Sequence, residues 1–153
     1  MNMEILEYHS SAESGHWLSQ LRLCDWSAGS WLCELIDRNR FFEELGSTSK
    51  LLLLTEGEKL AAFCTLSERD DIPDTELTPW IGFVYTFPGF RGRRCFGRLL
   101  AEAENIASRQ GSDAVYISTD HIGLYEKYGF EQIGTMTDRR GGESNVYIKR
   151  IIR

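Results

Sequence analysis

Along the 153-residue chain the spacing of apolar positions changes several times, and each change marks an element. "MEILEY" (3–8) alternates apolar and polar residues and reads as a short first strand. From Ser14 to Leu45 the spacing turns helical: Trp17, Leu18 and Leu21 share a face, and Trp31, Leu32, Leu35, Ile36 and Asn39 continue it. "DWSAGSW" holds Gly29 and two serines, which predicts a break near 25–29 and therefore two helices. Gly46 is placed to cap the second. "KLLLLTEGEKLAAFCTLSE" (50–68), two apolar runs about Glu56-Gly57-Glu58, reads as a hairpin.

A polar, proline-bearing connection follows at 69–79, then an aromatic-rich strand, "WIGFVYTF" (80–87), stopped by Pro88. The next helix has Phe96, Leu99, Leu100, Ala103, Ile106 and Ala107 on its inner face and ends at Gly111. "AVYIST" (114–119) reads as a buried strand, "IGLYEKYG" (122–129) as a short helix stopped by Gly129. "FEQIGTMT" and "NVYIKRII" make a last hairpin across "DRRGGES". With no repeat and no long linker, 1–153 is expected to be a single domain of α/β (α+β) class. Its sheet should be mixed but mostly antiparallel, with helices flanking it. The strand–helix–strand unit across 80–119 should be a parallel, right-handed crossover.

Composition narrows the function classes. The longest apolar run, "LLLL" at 51–54, is far short of the roughly 20 residues that span a bilayer, and the N-terminus lacks a signal-peptide pattern. A cytoplasmic protein with no membrane partner is the expectation. Cys24, Cys33, Cys64 and Cys95 are scattered, and His9, His16 and His121 are isolated, so no metal site and no disulfide framework is expected. The net charge of −6 argues against nucleic acid as a partner.

Against that acidic background, "GFRGRRCFGRLL" (89–100) concentrates Arg91, Arg93, Arg94 and Arg98 between Gly92 and a helix that contains Gly97. A strand leading through a glycine-bearing turn into a helix presents free backbone N–H groups, and the helix dipole adds positive charge there. Phosphates settle at such places, and arginines strengthen them. Neither a Walker loop nor a dinucleotide fingerprint fits this spacing. A small, strongly anionic ligand is indicated, with an acidic protein partner as the alternative.

"VYTFPGFRGRRCFGRLLAEAENIA" resembles the coenzyme A signature of the GNAT N-acetyltransferase superfamily, and "ISTDHIGLYEKYGFEQIG" resembles its closing motif. The pair covers roughly residues 80–134 in the family's order. The family's two small residues are Arg94 and Phe96 here, with Gly97 one step later. That is similar to a branch carrying R-G-x-R and "STDH-x-GLYEKYGF". An arginine at 94 is expected to take ordinary helical angles and swing outward. The resemblance implies a GNAT-like fold and acetyl-CoA as acetyl donor. Val84, Tyr85, Thr86 and Phe87 should pair with the cofactor's pantetheine arm, and Arg91, Gly92, Arg93, Arg94, Cys95, Phe96, Gly97 and Arg98 should bind the pyrophosphate.

The implied chemistry is direct acetyl transfer to an amine of a small molecule or a lysine; a CoA-binding regulatory domain without catalysis is the alternative. An amine must be neutral to attack, although its free pKa is near 10. The carbonyl oxygen needs a backbone donor, and the departing thiolate needs a proton donor. Tyr125 stands where the family's tyrosine serves the thiolate, and Tyr128 is expected to be structural. The general base is sought among Asp70, Asp71, Asp74 and Glu76, with Glu76 the nominee, and at His121, whose ordinary pKa suits proton transfer. Asp120 is expected to cap the following helix. Trp17 and Trp31 are assigned to the core, and Trp26, beside the helix break, to an acceptor pocket. The final strand offers a pairing edge for a homodimer.

Overall fold

The structure, a computed structural model, describes residues 2–152. Seven strands form one sheet in the order β1-β2-β3-β4-β5-β7-β6: β1 (Met3–Glu7), β2 (Lys50–Glu56), β3 (Lys59–Ser67), β4 (Trp80–Thr86), β5 (Ala114–Thr119), β6 (Glu131–Thr137) and β7 (Glu143–Arg150). Every neighbouring pair is antiparallel except β4–β5, as the strand–helix–strand unit predicts.

Helices cover both faces. The helix α1 (Ser14–Leu21), α2 (Ser27–Asp37) and α3 (Phe41–Leu45) pack on one, where Trp17, Leu21, Leu32, Phe41, Leu53 and Phe63 share a cluster. On the other lies α4 (Cys95–Arg109), whose Phe96, Leu99, Leu100, Ala103, Ile106 and Ala107 are all buried against Leu52, Ile81 and Ile117. Its inner face is the one that the 3.6-residue period marks.

Several expectations need correction. The stretch 14–45 holds three helices rather than two, because Asn39 takes the left-handed conformation (φ 56°) and ends α2. The break before α2 falls at 22–26. Gly29 lies inside α2, where an added Cβ would come 2.7 Å from Cys24 Sγ, so close packing and not a turn explains it. Gly46 (φ 114°) therefore ends α3. Trp31 is 38% exposed, whereas Trp17 is in the core. The helix at 122–129 shrinks to a 3-10 turn at Tyr125–Tyr128, and Asp120 does not cap it, since the preceding cap position is Leu124. Finally, β7 is hydrogen-bonded on both edges, to β5 and β6, so it has none free for a second copy; the outer strand is β6.

Leu99 is fully buried between α4 and the sheet. Leu99→Ala should lower the unfolding free energy by about 2–5 kcal/mol, read by urea denaturation, with the fold retained.

Candidate active site

Two strands that should run side by side part here. β4 and β5 share only the Trp80–Tyr116 register pair, reinforced by the Tyr116 N–H donating to the Pro79 carbonyl at 3.0 Å. β4 keeps its bonds to β3 on the other edge, through a bulge. Phe63 pairs with Tyr85 and Thr65 with Gly82, which leaves Phe83 and Val84 opposite Cys64 alone. Phe83 absorbs the extra residue in the left-handed conformation (φ 48°). From Gly82 to Thr86, the edge of β4 turned toward β5 thus has no strand partner.

The arginine turn follows at once. Arg94 is in the left-handed conformation (φ 58°, ψ 34°), against the ordinary helical angles expected of it, and makes no side-chain cap. The first backbone bond of α4 runs from the Arg98 N–H to the Arg94 carbonyl at 3.3 Å, so the N–H groups of Cys95, Phe96 and Gly97 precede the helical ladder. The four arginines are not equivalent. Arg91 donates to the Thr86 carbonyl at 3.0 Å and lies over the Tyr85 ring, and Arg93 pairs with Glu56 at 2.7 Å. Arg94 and Arg98 have no ion pair among the described residues. Gly92 (φ 82°) has open space around it.

Cys95 and Phe96 turn their side chains inward. Burial pushes the Cys95 thiol up, and the Phe96 ring sits 5.5 Å from Tyr125 and 4.9 Å from Tyr128. Tyr125 is buried on the α4 face of the sheet, within electrostatic reach of Cys64, the residue opposite the bulge. Desolvation pushes its phenol to about 12, so it stays protonated at neutral pH.

On the opposite face the connection 69–79 crosses the sheet, anchored by Ile72 against Trp80 and Val146. This places the Asp70 carboxyl over the bare Cα of Gly82, where an added Cβ would come 2.7 Å from its Cγ. The residue is half-buried, and desolvation raises the pKa of its carboxyl to about 7. Thr65, cross-strand from Gly82 on this same face, is fully buried with its hydroxyl unpartnered. An aromatic row borders the spot: Trp31 and Phe83 (5.6 Å), Phe83 and Trp26 (6.5 Å), then Trp26 stacked on Tyr85 (5.8 Å), whose hydroxyl donates to Asp25 at 3.0 Å.

The structure therefore gathers Val84, Tyr85, Thr86, Arg94, Arg98, the N–H groups of 95–97 and Tyr125 around the parted strands. Phe87 is tied to β3 through its N–H and the Ala61 carbonyl, at 2.9 Å. Glu76 is exposed and has no hydrogen bond or ion pair among the described residues, and His121 is exposed, its N–H donating to Thr119 Oγ1 at 3.0 Å. Sequence reasoning missed Asp25, Thr65 and the kink at Phe83. A signal for the kink was present in Gly82, a lone glycine inside a strand of aromatic and branched residues, which marks a bulge or a close approach. Among the described residues no cluster of His, Cys, Asp or Glu is arranged to hold a metal ion, and no helix is long and apolar enough to cross a membrane.

Residues 16–130 match the sequence profile of the Acetyltransferase (GNAT) family, so the chain belongs to that family. An acetyltransferase of Agrobacterium fabrum, Atu2258, is 30% identical over 74 residues, 46% of this chain and 54% of that protein. The match thus spans about half the length of that relative. Among solved structures, a GNAT-family acetyltransferase from Desulfovibrio desulfuricans superposes with TM-score 0.71 at 16% identity, covering 99% of this chain and 100% of that one. An aminoglycoside 6'-N-acetyltransferase complexed with coenzyme A gives 0.67 at 16% identity, covering 100% and 98%. At such identities these two show the fold alone.

Two outcomes follow from this geometry. Arg94→Gly should relieve left-handed strain and raise stability by about 1 kcal/mol in denaturant unfolding, while weakening anion binding at the turn. Asp70 holds its proton more tightly when folded, so its contribution to stability falls as pH rises from about 4, the ordinary carboxylate value, toward 7. Asp70→Asn should therefore match the wild-type melting temperature near pH 4, exceed it by a margin that grows up to about pH 7, and keep that margin above it.

Proposed function

We propose that the protein is an acetyl-CoA-dependent N-acetyltransferase that moves the acetyl group directly to an amine of a small molecule or a lysine side chain. The observation that carries this reading is the unpartnered edge of β4 at its bulge, which opens between Tyr125 on one face of the sheet and the α1–α3 side on the other. N–H and C=O groups along Gly82–Tyr85 that face away from β3 suit the amides of a pantetheine arm. Arg94, Arg98 and the N–H groups of Cys95, Phe96 and Gly97 suit a pyrophosphate. The fold neighbour that holds coenzyme A supports the same assignment.

When bound, acetyl-CoA supplies an acetyl group activated as a thioester. A backbone N–H at the bulge would stabilise the negative charge that gathers on the acetyl oxygen. Tyr125 remains a hydrogen-bond donor throughout the neutral range; with its pKa well above that of a thiol, it would stabilise a departing thiolate chiefly by donation. Cys64 and Cys95 are poor nucleophiles, since burial raises both thiols, Cys64 to about 12, so transfer without a covalent enzyme intermediate is favoured.

Acetyl-CoA and CoA at about 100 times their dissociation constants should each stabilise the protein by about 2.7 kcal/mol, read as a rise in melting temperature, with no comparable effect of ATP or NAD. Tyr125→Phe should keep that stabilisation and slow turnover. Absence of any CoA response would sink the proposal.

A further inference from the structure

The Asp70 carboxyl is the uncommitted charge of this site. Among the described residues no Lys or Arg pairs with it, and its one hydrogen-bond donor is the Asp71 backbone N–H. A closed circuit of contacts surrounds it. Arg139 donates its Nε–H to the Asp70 backbone carbonyl at 3.0 Å and sets its guanidinium 5.7 Å over the Trp31 ring. Trp31 meets Phe83, and Phe83 follows Gly82, on which the carboxyl rests.

Most of the neighbouring charges are already matched, the exception being the half-buried Asp71 beside Asp70. Glu44 pairs with Arg40 and Arg139, Asp25 accepts from Tyr85, and Asp138 accepts from the N–H groups of Arg140 and Gly142. Both ends of the aromatic row carry the chain's own cations, Arg139 on Trp31 and Arg91 on Tyr85. One ammonium can be neutralised here, at Asp70. A second on the same molecule would meet the Arg139 and Arg91 guanidinium groups, and the one further carboxylate nearby, half-buried Asp71, already lies in the field of Arg139 and Arg140. The partly exposed Trp31 offers instead a flat apolar surface.

We propose that the acceptor is a lone primary amine on a flat, apolar body, its ring against Trp31 and Phe83 and its nitrogen at Asp70, which takes the amine's proton. This rests on the N-acetyltransferase reading. The ammonium gives one proton to Asp70 and becomes the neutral nucleophile. A C–N bond then forms to the acetyl carbon as the C–S bond breaks with its electron pair on sulfur. The nitrogen's next proton ends on that sulfur, so amide and thiol are the products. Of the charged groups around Asp70, Asp71 beside it opposes ionisation and Arg139 from the β6–β7 turn favours it; Gly82 of β4 and Thr65 of β3 bring none. With a pKa raised to about 7, Asp70 is mostly ionised just above neutrality and still basic enough to hold the proton.

The test is acetylation of 2-phenylethylamine, spermidine, kanamycin and a lysine peptide, followed by thiol release, beside melting temperatures of the CoA-saturated protein with each amine. Phenylethylamine should have kcat/KM about tenfold or more above the others and should raise the melting temperature. Trp31→Ala should raise its KM about tenfold, leave kcat nearly unchanged and remove that amine-induced stabilisation. Asp70→Asn should lower kcat by about 100-fold at pH 8 and abolish the limb that rises near pH 7, while CoA still stabilises the variant. In the wild type that limb should stay in place for two aromatic amines of different basicity. Preference for spermidine, kanamycin or the peptide, or CoA binding with no amine accepted, overturns the acceptor class. Near-wild-type turnover in Asp70→Asn, or a limb that moves with the amine's basicity, overturns the role of Asp70. Loss of CoA binding in the wild type would instead remove the N-acetyltransferase reading beneath both.

Discussion

Everything in the site depends on β4 letting go of β5 after a single register pair. A seven-stranded sheet would ordinarily bond that edge, because unpaired backbone groups in a buried setting are costly. Here the bulge at Phe83 and Val84 turns the strand, and the left-handed backbone of Phe83 stores strain of the order of 1–3 kcal/mol. The rest of the sheet supports that strain. β4 stays bonded to β3 up to Thr86, and the clusters on both faces hold the opening in shape.

The same opening sorts titratable groups by face. Tyr125, deep on the α4 side, is shifted toward holding its proton, and Asp70, on the α1–α3 side, is shifted to a value where it can exchange one near neutrality. Desolvation is the larger cause in both cases, so burial and not a charged partner sets the two shifts. In the proposed reaction the first group would donate and the second would accept a proton.

The arginine turn works differently from its appearance in sequence. Its density suggests four interchangeable charges, yet Arg93 is held by Glu56 and Arg91 by the end of β4. Arg94 fills a conformation that glycine takes without strain and keeps a charge at the helix start. Phe96, at the other departure from the family pattern, turns inward and braces Tyr125 and Tyr128. Substituting bulk for small residues thus leaves the first-turn N–H groups free and changes what supports the tyrosine behind them.

Period and punctuation along the chain determined the succession of strands and helices, the β4–α4–β5 crossover, the inner face of α4 and the family, because each of these is written in local spacing and in contiguous motifs. The three-way division of 14–45 was legible only through Asn39, whose tolerance of left-handed angles competes with its helical spacing. Tertiary structure alone decided which carboxylate is desolvated. Asp70, Asp71, Asp74 and Glu76 are alike in sequence, and what separates Asp70 is the bare face of Gly82, twelve residues on, together with Ile72 pinning the connection across the sheet. Desolvation depends on what surrounds a group in space, and no local spacing encodes that. For the same reason Trp31, at a core-like helical position, stays exposed beside Phe83 and Arg139, which arrive from a distant strand and turn.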